Sequence, residues 1–393
     1  MPMKRTQLLI IGGGCAGLSL ARRLARASKS IQAVVVEPRT QYSDDRTWCF
    51  WAGQPSGLGP VPLISWQKIN VCNGQTSVNC SFGQNPYQML RSIDFYRASI
   101  DEIEASSDIE LCLGTSVLAS RKLPSGKWET DSTQGTIISD FVVDTRASID
   151  RFDVAPLLWQ NFVGFEIVCK SPIFATDVVQ LMNFQTASSE GIDFVYLLPT
   201  SSNQALIEFT TLSSNGSAIP DLTKKLHDVV EKICGDRSYQ ILRREQGAIP
   251  MGLSSPPISE KSTYVRVGVT AGSARPSSGY TFCRIQKWAD ACSQSILRGD
   301  LPIGPLSDTP LVRFMDHIFL KVLKHYPLLG PELFLAIFQK VPVPRLLRFL
   351  SDSPNLLDAI FLMAALPKGP FLKECFRPIC ANAKPSNEVP CFR

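Results

Sequence analysis

Apolar residues run along this chain in three rhythms, and each predicts a different kind of element. Near the start, Gln7 to Ile11 and Ala33 to Val36 are short, nearly continuous apolar runs, the pattern of parallel strands buried on both faces. Between them Leu18, Leu20, Ala21 and Leu24 give a helix its apolar face. Further on, the pattern predicts a helix over 91–105 and an apolar strand over 135–146. That strand finishes in Asp144-Thr145-Arg146, a polar turn typical of the edge where a parallel sheet meets its ligand.

Between residues 161 and 211 the rhythm changes to alternating apolar segments without intervening helices, which predicts an antiparallel sheet. Asp193 to Leu198 and Ala205 to Phe209, joined by PTSSNQ, predict a hairpin. Within NQALIEFTTL, alternation puts Leu206, Glu208 and Thr210 on one face and Ala205, Ile207 and Phe209 on the other. Glu208 is then either a solvent-facing residue of a half-buried sheet or a functional carboxyl on an apolar face. After the strand TYVRVGVT, a loop punctuated by Gly272, Pro276 and Gly279 opens another helix, whose N-terminus is suited to face a cofactor. Beyond Gly299 the third rhythm predicts helices in LVRFMDHIFLKVLKHY, PELFLAIFQKV and PRLLRFLSDSPNLLDAIFLMAAL. Their apolar and basic sides fit a core-packing bundle or an interfacial membrane anchor. The tail PICANAKPSNEVPCFR has no periodicity and is expected to be loose.

At 393 residues the chain exceeds the single-core limit of roughly 250–300, so two or more packed regions are expected. Apolar residues make up 44% and charged ones 19%, a greasy balance that suggests an apolar partner. The net charge of +5 comes from scattered basic residues, which argues against a nucleic-acid partner and permits contact with anionic lipid. Twelve cysteines without a C-x-x-C pair, and three histidines, make neither a zinc site nor a disulfide framework, and no metal is expected. Scattered thiols suit a reducing compartment. The basic start before an apolar run imitates a signal peptide, but the glycines and basic helix that follow explain it better. No apolar run reaches 18 residues, so no membrane-spanning helix is expected.

The first turn holds Gly12-x-Gly14-x-x-Gly17, with Ala16 beside the third glycine. Gly12 permits the tight turn, Gly14 lets a pyrophosphate approach the backbone, and Gly17 lets the helix pack on the strand. Glu37 follows Gly17 by 20 residues, at the end of the next strand, placed to accept both ribose hydroxyls and to disfavour a 2′-phosphate. This unit predicts an adenine dinucleotide and leaves FAD and NAD open. Next come Asp44, Asp45 and Arg46, then Trp48, Phe50 and Trp51. Such aromatics are either core or the lining of a pocket for an extended apolar or cationic ligand. The acids lack the third member of a DDxxD magnesium motif, which excludes a diphosphate-ionising terpene cyclase.

Several segments together resemble the flavin-dependent lycopene cyclases of carotenoid biosynthesis, the bacterial β-type in particular. They are GGGCAGLSLA, RTWCFW, YQMLRSIDFY, FVGFEI, FVYLLP with ALIEFT, QGAIPM, ARPSSGYTF and FMDHIFLKVL, in the family's order over most of residues 5–375. The resemblance implies an α/β fold like the aromatic hydroxylase flavoproteins. A discontinuous, Rossmann-like FAD-binding domain would comprise 1–60, 86–150 and 262–300. A substrate domain with an antiparallel sheet covering the flavin would comprise 61–85 and 151–261, followed by a helical region over 301–380, suited to face a membrane, and the tail 381–393.

The activity implied is that of an isomerase, an intramolecular lyase that closes the linear ψ-ends of lycopene into β-rings, through γ-carotene to β-carotene, without net redox change. Reduced FAD would be required, with NAD(P)H as reductant. By resemblance, Gly12, Gly14, Ala16, Gly17, Glu37, Arg46, Asp144, Gly272, Ser278 and Gly279 hold the cofactor, and Trp48, Phe50 and Tyr196 line the substrate pocket. Glu208 falls on the family's acidic strand motif as general acid or cation stabiliser, and Glu166 is the other candidate acid, with a structural ion pair as the alternative reading. Many relatives carry a second acid where this chain has Phe209, which alternation turns away from Glu208. The apolar helices and the lipid-soluble substrate give the expectation of peripheral attachment at the cytoplasmic side of a membrane, in a bacterial cell or plastid, with carotenoid-pathway enzymes as possible neighbours. Two other readings stand beside it: a flavin monooxygenase or oxidoreductase of the same fold acting on an isoprenoid or aromatic substrate, and a membrane-associated flavin-binding scaffold that delivers carotenoid.

Overall fold

The computed structural model describes residues 3–53, 61, 63–147, 156–187, 190–214, 219–253 and 262–377. The tail expected to be loose lies outside them. The N-terminal apolar run becomes the strand Met3–Ile11, whose Leu8 to Ile11 are covered on both faces. It pairs in parallel with Ala33–Glu37 on one side and Gly135–Asp144 on the other. Ile109–Leu113 and Tyr264–Arg266 extend the parallel set, and Trp128–Ser132 with Val117–Lys122 add an antiparallel edge. In this register Ile11 lies opposite Asp144, and Asp144 opposite Arg266. The carboxyl ends of the strands therefore share one edge, where ligands of such sheets bind. The helices Cys15–Ala25, Ser92–Glu104 and Phe282–Leu297 supply much of the apolar cover.

A second seven-stranded sheet runs in the order Tyr239–Met251, Leu158–Cys169, Gln204–Ser213, Gly191–Pro199, Val178–Ala187, Lys68–Cys72, Ser77–Ser81. It is antiparallel except where Val178–Ala187 meets Lys68–Cys72 in parallel. The expected hairpin forms in full, with Tyr196 opposite Glu208. One face carries Phe165, Ile207 and Phe209 against the helix Ile219–Cys234. The other carries Phe194, Leu206 and Leu212 into the largest core, shared with the C-terminal helices. A small sheet of Thr47–Trp51, Tyr87–Arg91 and Ile64–Trp66 stands between the two large ones, and the Trp66 indole N–H donates to the Pro199 carbonyl at 3.0 Å.

Beyond residue 309 lie the helices Pro310–His325, Gly330–Lys340, Val343–Leu350, Leu356–Ala365 and Lys368–Phe376. The stretch read as helical from PRLLRF to MAAL is broken at Ser351–Asn355. Pro354 disfavours helical geometry at the residue before it, and Asn355 opens a new helix through a reciprocal cap with Asp358. No described helix is long and apolar enough to cross a membrane.

Candidate active site

At the ligand edge of the first sheet, the turn after Met3–Ile11 enters the helix Cys15–Ala25 with no side-chain cap and no acidic residue in its first turn. The free N–H groups and positive dipole end are thus left for an anion. A Cβ on Gly17 would run into the Gly12 carbonyl oxygen, so the close helix–strand approach depends on glycine there. Above Gly14 there is open space, the gap a diphosphate backbone contact needs. Glu37 Oε2 accepts the Gly13 N–H at 2.6 Å, and Oε1 accepts the Arg39 Nε–H at 2.8 Å. Arg39 lies over the rings of Tyr42 and Tyr96. Ala16 is buried in the helix start, and Arg46 pairs with Asp45 close enough to act on the Cys15 thiol. Asp144 is occupied by Arg146 and by the Tyr264 hydroxyl at 2.7 Å.

The second predicted helix start also forms, at Phe282 after the cap position Thr281. Gly272 ends a short 3₁₀ turn with φ +85°. Gly279, with φ +71°, lies so close to the second sheet that a Cβ would come within 2.9 Å of Gln160 Oε1. This turn therefore joins the two large sheets. It is anchored by a buried Arg275–Asp316 ion pair at 3.0 Å, and the Ser277 hydroxyl donates to the same aspartate.

The aromatic cluster was open to two readings, core or pocket lining. Trp48 packs on Phe95 and Phe282, and Phe50 stacks on Phe282, inside the core of the first unit. Neither lines the large apolar cavity; both pack beneath the second helix start, where Phe50 also lines a small pocket with Tyr280 and Phe282. Tyr196 does line that cavity, which has about 500 Å³ of space. It runs from Tyr196, Phe194 and Leu212 past Ser278 and Tyr280 to Ile360, Met363 and Leu372 on the outer helices.

On the same sheet face, a row of polar side chains crosses four strands. Gly164 pairs with Glu208 on one side and Glu245 on the other, and Glu208 pairs in turn with Tyr196. Gly164 is what lets two carboxyl groups lean together. A Cβ at that position would lie 3.0 Å from the Cγ atoms of both glutamates. Burial first, then the hydrogen bond and charge of Glu245, push the Glu208 pKa well above the ordinary carboxylate value, with Arg243 opposing. The protonated form of Glu208 is therefore favoured relative to that of an exposed glutamate. Tyr196, Tyr280 and Tyr87 are also raised, mainly by burial, and stay neutral phenols around it.

Glu166 has a different setting. It accepts Arg243 Nε–H at 2.9 Å and Gln204 Nε2–H at 2.6 Å, with Arg91 at 3.5 Å. Arg243 also reaches Glu245 Oε2 at 2.5 Å, Thr47 Oγ1 at 2.8 Å and Asp44 at 3.3 Å. Two guanidiniums, Arg91 and Arg243, thus serve Asp44, Glu166 and Glu245, and Glu208 makes no ion pair with either. Of the two readings of Glu166, acid or structural ion pair, this geometry favours the ion pair, since its oxygens already accept from charged and amide donors. Phe209 points to the helix-covered face, with the Lys225 ammonium 5.4 Å from its ring centre.

Sequence reasoning missed Glu245, Arg243, Gly164 and Tyr280. The signal was present: Arg243, Glu245 and Gly247 alternate directly into the QGAIPM segment, which is strand periodicity with one charged face.

The comparisons bear on the whole chain. The family model described as "Lycopene cyclase protein" matches residues 7–375. A lycopene beta-cyclase of Pseudescherichia vulneris is 24% identical, the match covering 94% of this chain and 96% of that protein. Among solved structures, a geranylgeranyl bacteriochlorophyll reductase-like protein from Thermoplasma acidophilum superposes with a TM-score of 0.62 at 12% identity, covering 95% of this chain and 99% of the other. The flavin-dependent monooxygenase PieE, solved with FAD and substrate, gives a TM-score of 0.58 at 12% identity, covering 94% of this chain and 72% of the other. Those structural likenesses establish the fold, and the family model, spanning nearly the entire sequence, shows that this chain belongs to the lycopene cyclase family of enzymes.

Proposed function

We propose that the protein is a lycopene β-cyclase that protonates the terminal alkene of a ψ-end and closes it to a β-ring. The observation that carries this reading is Glu208: a carboxyl that leans with Glu245 over Gly164, an arrangement that favours its protonated form, in a row that borders a long apolar cavity at Tyr196. Protonation at C2 leaves a tertiary cation at C1. Attack by the C5=C6 alkene forms the C1–C6 bond and moves the positive charge to C5. Loss of the C6 proton to the Glu208 carboxylate then makes the C5=C6 double bond and restores the acid, so protons and electrons balance. Tyr196 and Tyr280 offer ring faces to the cation, and the apolar walls exclude the water that would trap it.

The glycine turn, the uncapped helix start and Glu37 fit FAD, with Gly12, Gly14, Ala16, Gly17 and Glu37 at its dinucleotide part and Gly272, Ser278 and Gly279 at the second helix start. Bound and reduced by NAD(P)H, FAD would supply an electron-rich, anionic neighbour for cationic chemistry. The test is to incubate the dithionite-reduced holoprotein with lycopene in liposomes without oxygen. γ-Carotene and β-carotene are the expected products. Oxygenated products that appear only in air would instead mark a monooxygenase, and pigment retained without turnover would mark a scaffold.

The substrate must come from lipid, and the cavity meets the surface there. Ile360, Met363 and Leu372 line it and are 46%, 47% and 54% exposed. Leu356 and Leu357, on the same outer helix, are exposed as well. Each such side chain buried in a bilayer is worth about 1.5–3 kcal/mol. Replacing Leu356 and Leu357 together by Asp is expected to lower liposome co-sedimentation at least tenfold and to raise KM for liposomal lycopene with kcat little changed. Unaltered co-sedimentation would locate the membrane contact elsewhere.

A further inference from the structure

Glu245 has an oxygen that the ion network does not use. Its Oε2 is held by Arg243 and by the Thr47 hydroxyl, whereas its buried Oε1 receives no N–H or O–H from a neutral or cationic partner among the described residues. A buried carboxylate oxygen without a donor is costly. Among the described residues, the Glu208 carboxyl leans toward it over the bare backbone of Gly164 and can supply that proton. Resting on the cyclase reading, we propose that Glu245 is a positioning residue for that reaction: it shares one proton with Glu208 across Gly164, orienting the acid and driving the proton's return.

The geometry accounts for both halves of this role. Before transfer, the Glu208 O–H donates to Glu245, which fixes its direction and suppresses ionisation. After transfer to the alkene, two carboxylates stand side by side in a poorly solvated site. Their combined charge stabilises the cation, and their mutual repulsion favours recapture of the C6 proton by Glu208. The other titratable or charged groups facing Glu208 are Arg243 beside Glu245, Tyr196 on the neighbouring strand and Cys49 on the small sheet, with Tyr280 on the turn beyond Tyr196 and Cys49. Glu166, Asp44 and Arg91 lie behind Arg243. Of these, Glu245 alone both touches Glu208 and carries negative charge toward it.

The decisive variant is Glu245→Gln, which keeps the shape but removes the repulsion and presents an amide N–H that favours ionised Glu208. The high-pH limb of the kcat profile is expected to move down by at least about one unit, so that activity falls about tenfold in that region and recovers on acidification. Gly164→Ala, which wedges the pair apart, should move the limb the same way. A substrate-free measurement accompanies these: the infrared band of a protonated carboxyl should be present in the parent at neutral pH, absent in Glu208→Gln, and titrate away at lower pH in Glu245→Gln. A parental pH limb and an unshifted band in Glu245→Gln would overturn the shared proton. Because the infrared arm needs no turnover, it decides the pair even if the parent fails to cyclise lycopene, which would sink the cyclase reading alone.

Discussion

In cells that accumulate lycopene, the Glu208→Gln variant is expected to leave the pigment linear while the parent chain converts it to β-ring carotenoids. Glutamine preserves the volume and one carbonyl of the acid but has no transferable proton. The cation-forming step loses its donor, a deficit on the order of 10³-fold for a removed general acid. The variant should still fold and retain flavin, since Glu208 pairs with neither guanidinium of the network. Its thermal stability should rise at neutral pH. In the parent, the folded pKa of Glu208 is raised, so its contribution is fully favourable only below the unfolded carboxylate value and is lost as pH rises toward the folded value. A neutral amide removes that loss. Pigment extraction and a melting curve at two pH values measure both effects, and bicyclic product at the parental rate would end the assignment of Glu208 as the acid.

Arg243→Ala is expected to be the most damaging single change to the fold of the site. The guanidinium holds Glu166, Glu245 and Asp44 together and also bonds Thr47, tying the substrate sheet to the small sheet. Without it, three carboxylates face one another with only Arg91 to serve them. Breaking a buried ion network by deleting one partner typically costs about 3–5 kcal/mol, which for a chain of this size lowers the melting midpoint by roughly 5 °C. A midpoint within a degree of the parent would show that the network contributes little net stability.

How much of this site was legible beforehand follows from the range of the interactions involved. The glycine turn, Glu37 and the second helix start are local arrangements, set by residues adjacent in the chain, and the structure forms all three where their patterns lie. Strand alternation likewise assigned Phe209 to the face opposite Glu208. Trp48 and Phe50 were ambiguous because clustered aromatics look the same in a core and in a pocket; only their stacking on Phe282, from the far end of the chain, separates the two. Glu166 was open to two readings, acid by resemblance or structural ion pair, because its salt partners, Arg243 and Arg91, lie on strands distant in sequence.

The sequence by itself determined the dinucleotide turn, the alternating faces of the substrate sheet, the apolar helices and the family. These rest on periodicity and on spacings within single elements. Only the tertiary structure decided that Glu208 meets Glu245 across Gly164, that Arg243 neutralises the other acids, and that the cavity opens among exposed helix residues. Each of those depends on register between strands far apart in the chain, where a shift of one residue would turn every side chain to the opposite face.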